Sequence, residues 1–311
     1  ENFCGGVNMK IALTGGTGFI GQKLTDQLLQ ENHQVYILTR NKGKKQEKQG
    51  LHFVQWLNEG DEPEEMLEGI DVLINLAGES INSGRWTEER KRRIYHSRMH
   101  ATNEVIRLID HLNEKPYTLI NASAVGYYGT SEKRSFDEAS PYSGEDFLST
   151  VVKNWEDIAK TAEKDWNIRT ICCRFGIILD KNAGALPKMA LPYKLFAGGR
   201  IGSGNQWLSW IHINDVISAI VYMIEHESIE GPVNFTAPNP VTMNEFGHTL
   251  STVLHKPHWL PVPSFAVKAI LGEMSKLVTE GQKVTPNKLL SHDYPFHFTH
   301  LKEALEDIYQ K

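Results

Sequence analysis

Cysteine is scarce. The chain has Cys4, Cys172 and Cys173 in 311 residues, an odd number with neither a disulfide framework nor metal-ligand spacing. The last two are adjacent in a strand-like run, where neighbouring side chains point to opposite faces. A reduced, cytoplasmic protein without a metal site is expected. Long apolar runs are also missing, since none approaches the roughly 20 residues that span a bilayer. The opening ENFCGGVN has neither the basic nor the apolar region of a signal peptide, and Met9 is read as the native start, with residues 1–8 placed ahead of it. No dense run of lysine or arginine occurs beyond short stretches, and with a net charge of −5 the chain offers no footprint for nucleic acid or an anionic membrane. Small-molecule chemistry is what remains. The composition, 40% hydrophobic and 23% charged, is that of a globular chain long enough for two lobes.

Strand-like and helix-like segments alternate along the first part. KIALTG (10–15), HQVYILT (33–39), DVLINLAG (71–78), YTLINAS (117–123) and IRTICCRFG (168–176) are short β-rich runs ending in small or polar residues. Between most of them lie GQKLTDQLLQEN, TEERKRRIYHSRMHATNEVIRLIDHL and DFLSTVVKNWEDIAKTAEKDW, which read as helices. Repeated strand, helix, strand order predicts an α/β, doubly wound parallel sheet of Rossmann type, with ligands at the carboxyl ends of its strands. From about residue 183 proline and glycine break the pattern. A second, smaller C-terminal substrate lobe is expected from 183–210 plus 237–311, and the sheet domain from 9–182 plus 211–236, which holds the strand-like PVNFTAP (232–238).

The strongest local signal is LTGGTGFIG. Gly15, Gly18 and Gly21 follow a strand and open a helix. The first permits the turn, the second lets backbone approach a pyrophosphate, and the third lets helix pack on sheet. Thr17, Phe19 and Ile20 fill the rest of this cofactor loop, and Leu76, Ala77 and Gly78 end a second strand at the same level. After the second strand, where an NAD site usually carries a carboxylate for the ribose, stand Thr39 and Arg40. A guanidinium there suits a 2′-phosphate, so NADP(H) is the expected cofactor. Lys44 and Lys45 just beyond read as a solvated loop.

GGTGFIG, DVLINLAG, Ser123 followed by Tyr127-Tyr128-Gly129, and GSGNQWLSWIHINDV together resemble the extended short-chain dehydrogenase/reductase superfamily, in its atypical NAD(P)-dependent epimerase/dehydratase-like branch. RWTEERKRRIYHSR, DFLSTVVKNWE, RFGIIL (with Ile178) and EGQKVTPNKLL resemble one subfamily, sometimes labelled cell-division-inhibitor-like. The resemblance implies a Ser or Thr that holds the substrate oxygen, a Tyr acid/base, a Lys four residues later, and often an Asn on the preceding helix. Ser123 matches the first.

The Tyr and Lys do not carry over. In DFLSTVVKNWED the residues Phe147, Leu148, Val151, Val152 and Trp155 recur at helical spacing and define a buried face. With Glu156 aligned to the family's Glu, the Tyr and Lys positions fall on Leu148 and Val152; a shift of one gives Ser149 and Lys153, turned about 100° toward solvent. Tyr127, Tyr128 or a water is expected to replace the missing acid. Arg98 stands where the resemblance places the Asn, on the same inward stripe as Ile94, Met99 and Thr102. A buried guanidinium calls for an anion: cofactor phosphate, an acidic substrate, or a salt bridge to Glu79. Arg93, one turn earlier, is a further cofactor candidate.

Where nucleotide-sugar epimerases carry an arginine for the diphosphate, this chain has Leu208 between Trp207 and Trp210. An apolar or aromatic small molecule, not a typical nucleotide sugar, is the expected substrate. His212 and Asp215 read as a strand-end histidine and a helix cap. The resulting expectation is an NADP(H)-dependent oxidoreductase or epimerase-like enzyme transferring hydride to or from a small carbonyl or alcohol. Its alternative is a non-catalytic NADP(H)-binding sensor or scaffold.

Overall fold

The computed structural model describes residues 8–43 and 47–310; Cys4, Lys44, Lys45 and all but the last of residues 1–8 lie outside the described residues. In chain order the first part comprises β1 (Lys10–Thr14), α1 (Phe19–Gln30), β2 (Gln34–Thr39), β3 (Leu51–Gln55), α2 (Glu64–Leu67), β4 (Val72–Asn75), α3 (Glu88–His111), β5 (Thr118–Ala124), β6 (Ser131–Phe136), α4 (Phe147–Ala159), α5 (Thr161–Trp166) and β7 (Arg169–Phe175). The rest comprises β8 (Ile177–Leu179), α6 (Leu186–Lys194), β9 (Trp207–Leu208), β10 (Trp210–His212), α7 (Ile213–Glu225), β11 (Gly231–Phe235), β12 (Val241–Thr242), α8 (Met243–Leu254), α9 (Ser264–Leu271), α10 (Lys276–Thr279), β13 (Gln282–Val284), α11 (Asn287–Ser291) and α12 (Leu301–Gln310).

Seven strands form one parallel sheet in the order β11-β7-β5-β4-β1-β2-β3. Its strands read as nearly unbroken apolar runs because both faces are covered. Ile11 and Leu13 pack with Leu24 and Leu28 of α1 and with Val216 and Ile220 of α7. Ala12 and Leu73 turn the other way, onto Val105 and Leu108 of α3 and Ala162 of α5. Cys173 joins the first layer and Cys172 the second, both free and buried. This is the doubly wound architecture. Its strand order reverses between β1 and β4, the crevice where such sheets bind ligands.

The expected strands all form, and β3, LHFVQ, is an addition that the sequence reading did not include. A third apolar cluster lies beyond the sheet: Leu186 and Tyr193 of α6, Trp210, Phe246 and Leu250 of α8, and Leu305 of α12. It gives the C-terminal part a core of its own. No helix among the described residues is long and apolar enough to cross a membrane.

Candidate functional site

A cleft of about 770 Å³ opens at the carboxyl ends of β1, β4, β5 and β7. Gly15 leaves β1 at a φ of +69°, and a Cβ on it would lie 2.7 Å from the Leu76 carbonyl oxygen. On Gly21 a Cβ would sit 2.3 Å from the Gly15 oxygen. Only glycine fits either place. Helix α1 begins after Gly18 with no side-chain cap and no acidic residue in its first turn, so its positive end is left for an anion. The floor is held by side-chain amides. Thr14 donates to Asn75 Oδ1 at 2.7 Å, and Asn75 donates to Asn121 at 2.6 Å and to Thr102 at 3.0 Å. These bonds join β1, β4, β5 and α3 and set the level of the Leu76–Gly78 ridge. The Ala77 amide donates to Thr14 Oγ1 at 3.2 Å.

Arg98 lies against that ridge: a Cβ on Gly78 would come within 3.2 Å of its side chain. Its guanidinium donates to the backbone oxygens of Glu79 and Ile94, each at 3.0 Å, and sits 5.1 Å from the Trp155 ring. The expected salt bridge to Glu79 is not formed, because that carboxylate is held by Arg90 and approached by Arg93 at 3.5 Å. Burial pushes the Arg98 pKa down to about 10, with Glu79 opposing the shift. A cation that lines the cleft with only carbonyl partners is suited to an incoming anion. Arg93 is different. It is half exposed, pairs with Glu89 at 2.9 Å, and does not belong to the cleft wall.

Ser123, at the end of β5, lines the cleft while almost fully buried. Its hydroxyl donates to Glu156 Oε1 at 2.6 Å. Glu156 is fully buried on α4 and receives two bonds from Arg174 of β7, at 2.7 and 2.8 Å. Burial alone would lower the Arg174 pKa, yet the contact with Glu156 raises it above its usual value. Arg174 also donates to the Tyr128 hydroxyl at 2.9 Å, and that hydroxyl donates to Asn234 at 2.8 Å. This ion pair is the part of the site that sequence reading missed. An arginine inside the apolar run IRTICCRFG was the available signal, since a strand covered on both faces cannot leave it unpaired.

The expected part for Tyr127 and Tyr128 as substitute acids needs correction. Tyr128 is buried with both hydroxyl bonds used, and burial pushes its pKa up to about 12 despite Arg174 beside it. The Tyr127 ring stacks on Arg174, 3.5 Å from the guanidinium carbon. Neither belongs to the cleft wall. That wall is built instead by Leu148, Val151, Val152 and Trp155 of α4. Asp146 and Ser149 close a capping box at the start of α4, and Lys153 points outward to Asp157.

Phe19, Ile20 and Ile178 line the cleft as well, as do Trp207 and Leu208. Thr17 is exposed, and Thr39 and Arg40 sit at the carboxyl end of β2 beside the glycine turn, with Arg40 exposed. His212, not Asp215, caps α7, accepting from the Asn214 amide at 3.1 Å. Asp215 instead receives the backbone amides of His297 and Phe298 at 2.7 and 3.0 Å, tying down the C-terminal segment. A dinucleotide fits these residues: a cradle that any Cβ would fill, an uncapped helix end, and a buried cation without a carboxylate.

A model of the NAD dependent epimerase/dehydratase family matches residues 11–235, and one for a domain of unknown function, DUF1731, matches 262–308. The chain is 52% identical over 300 residues to the epimerase family protein YfhF of Bacillus subtilis, covering 96% of this chain and 98% of that one. The structure of human epimerase family protein SDR39U1 (isoform2) with NADPH superposes with a TM-score of 0.86 at 32% identity, over 97% of this chain and 100% of that one. A nucleoside-diphosphate sugar epimerase from Corynebacterium glutamicum matches with a TM-score of 0.76 at 30% identity, over 97% of this chain and 58% of that one. The fold, the NAD(P) cradle and these matches agree: the chain belongs to the NAD dependent epimerase/dehydratase family, as an atypical short-chain dehydrogenase/reductase.

Proposed function

We propose that the protein is an NADP(H)-dependent oxidoreductase or epimerase-like enzyme that moves a hydride to or from a small carbonyl or alcohol without a Tyr/Lys dyad. The observation that carries this reading is Ser123, set in the wall of the same cleft as the glycine cradle with its proton given to Glu156. In that state it accepts a hydrogen bond from a substrate hydroxyl; toward a carbonyl substrate the hydroxyl turns from Glu156, which Arg174 still holds, and donates to the carbonyl oxygen. When bound, the nicotinamide supplies or takes up the hydride. Gly15, Gly18, Gly21 and the α1 N-terminus hold its pyrophosphate, Arg98 answers anionic charge, and Arg40 with Thr39 meets the 2′-phosphate. The human relative was solved with NADPH, which supports that choice.

Leu148 and Val152 stand at the dyad positions and keep that wall dry, so the proton is exchanged with water at the open side of the cleft. Leu208, apolar and buried in the wall, weighs against a nucleotide sugar. Two free, buried cysteines support a cytoplasmic setting. The apolar dyad positions also favour a second reading, an NADP(H)-binding sensor without turnover. A carbonyl panel followed by NADPH absorbance separates the two. In an enzyme, Ser123→Ala lowers turnover about 100-fold or more with NADPH affinity little changed. Saturable NADPH binding without consumption across the panel would overturn the enzymatic reading.

A further inference from the structure

Beside the cleft lies a second cavity of about 450 Å³, which shares with it Phe19, Gly176, Ile177, Ile178, Met243 and Leu277. The two spaces adjoin across these residues. The inner chamber is walled by α6, α8 and the segment 262–278, through residues such as Met189, Phe246, Val267, Leu271 and Val278. Lys188 is the one charged residue on its wall among the described residues, and its ammonium donates to the Asn82 carbonyl. The Tyr193 hydroxyl is already engaged with His258 Nδ1 at 3.0 Å.

We propose that this chamber holds the body of the substrate, and that the substrate is a medium-chain aliphatic ketone or the matching secondary alcohol. This rests on the hydride-transfer reading above. Register brings the two ends together: Ser123 pairs with Arg174, and Gly176, the residue just past the end of that neighbouring strand, lines both spaces. An oxygen at Ser123 therefore leaves its carbon chain directed past Gly176 into the chamber. At about 30 Å³ per water-sized group the volume takes roughly fifteen such groups, room enough for a chain of about ten carbons. A sugar ring placed there gives up its water hydrogen bonds and meets few donors or acceptors in return, whereas an alkyl chain gains with every methylene buried. The outer faces of the same walls are apolar too, with Leu191, Leu195, Phe265 and Ile270 exposed.

Titration calorimetry on the NADP+-loaded protein, which cannot reduce a ketone, with 2-hexanone, 2-octanone and 2-decanone, and with UDP-glucose in parallel, tests the assignment. Affinity is expected to rise about fourfold per methylene, with no heat of binding from UDP-glucose. Val278→Trp, which fills the chamber away from the glycine cradle, should weaken 2-decanone at least tenfold and leave NADPH affinity unchanged. Ala185→Leu, on the same wall, serves if the first variant does not fold. Affinity flat with chain length, or UDP-glucose binding where 2-decanone does not, overturns the proposal. The two readings fail separately. Binding of 2-decanone with the expected slope but no NADPH consumption keeps the chamber and removes hydride transfer. Consumption with short polar carbonyls and a flat chain-length series does the reverse.

Discussion

Replacing Arg98 by methionine should stabilise the ligand-free protein slightly while weakening its hold on NADPH. Burial moves the guanidinium pKa down from its usual value to about 10, and at 1.36 kcal/mol per unit the charge costs about 3 kcal/mol at neutral pH. The sign follows from proton counting. From about 10 up to the usual guanidinium pKa the unfolded chain holds the proton more tightly than the folded one, so stability rises with pH across that window and the full penalty is present below it. Against this stand the stacking on Trp155 and the bonds to two carbonyls, together about 2 kcal/mol. The balance is a gain of about 1 kcal/mol, which for a chain of 311 residues is roughly 1–2 °C in Tm. Loss of a charge-assisted contact to the cofactor should cost about 1.5–3 kcal/mol, or roughly 10–150-fold in Kd. Differential scanning fluorimetry with and without saturating NADPH reads both effects, since the ligand-induced rise in Tm should shrink by about 2–5 °C. A ligand-free protein that melts several degrees lower, with NADPH affinity intact, would refute the reasoning and make Arg98 a structural residue.

Arg40→Asp should abolish or reverse the preference for NADPH over NADH, and equal affinities for the two in the parent protein would remove that claim. Lys153→Ala should leave NADPH binding unchanged, because the side chain is directed to Asp157 in solvent; abolished binding would mean that α4 presents a different face to the cleft. Arg174→Met leaves the buried Glu156 carboxylate with only the Ser123 hydroxyl and Lys160, 3.4 Å away, and should cost about 3–5 kcal/mol, or roughly 5–8 °C in Tm. Adding Glu156→Met should recover part of that loss in the same melting assay, and no recovery would argue against the pair as the cause.

The sheet was legible because its strands are covered on both faces and so keep continuous apolar runs, as in VLIN and TLINASA. β3 escaped because LHFVQ is short and mixes His and Gln with its apolar residues. The glycine turn was legible because its spacing is local. The Glu156–Arg174 pair is joined across 18 residues and two elements, a pairing no window along the chain can register. Tyr127 and Tyr128 misled for a related reason. They follow Ser123 closely, but a single 3-10 turn over Val125–Tyr128 carries both rings onto Arg174 and away from the cleft. The chamber beside the cleft is assembled from many separated stretches, so no one of them announces it.

Helix α4 is fastened at both ends, by the Asp146–Ser149 box at its start and by Glu156 on Arg174 one turn before its finish. Both fastenings hold its register against the sheet. Leu148 and Val152 lie between those fastenings and contribute side chains to the cleft without carrying either one. Exchanges at these two positions therefore alter what the cleft accepts without undoing either fastening, which makes them places where descent can try new chemistry on an unchanged frame. A tyrosine and a lysine placed there would arrive on a helix already held in position.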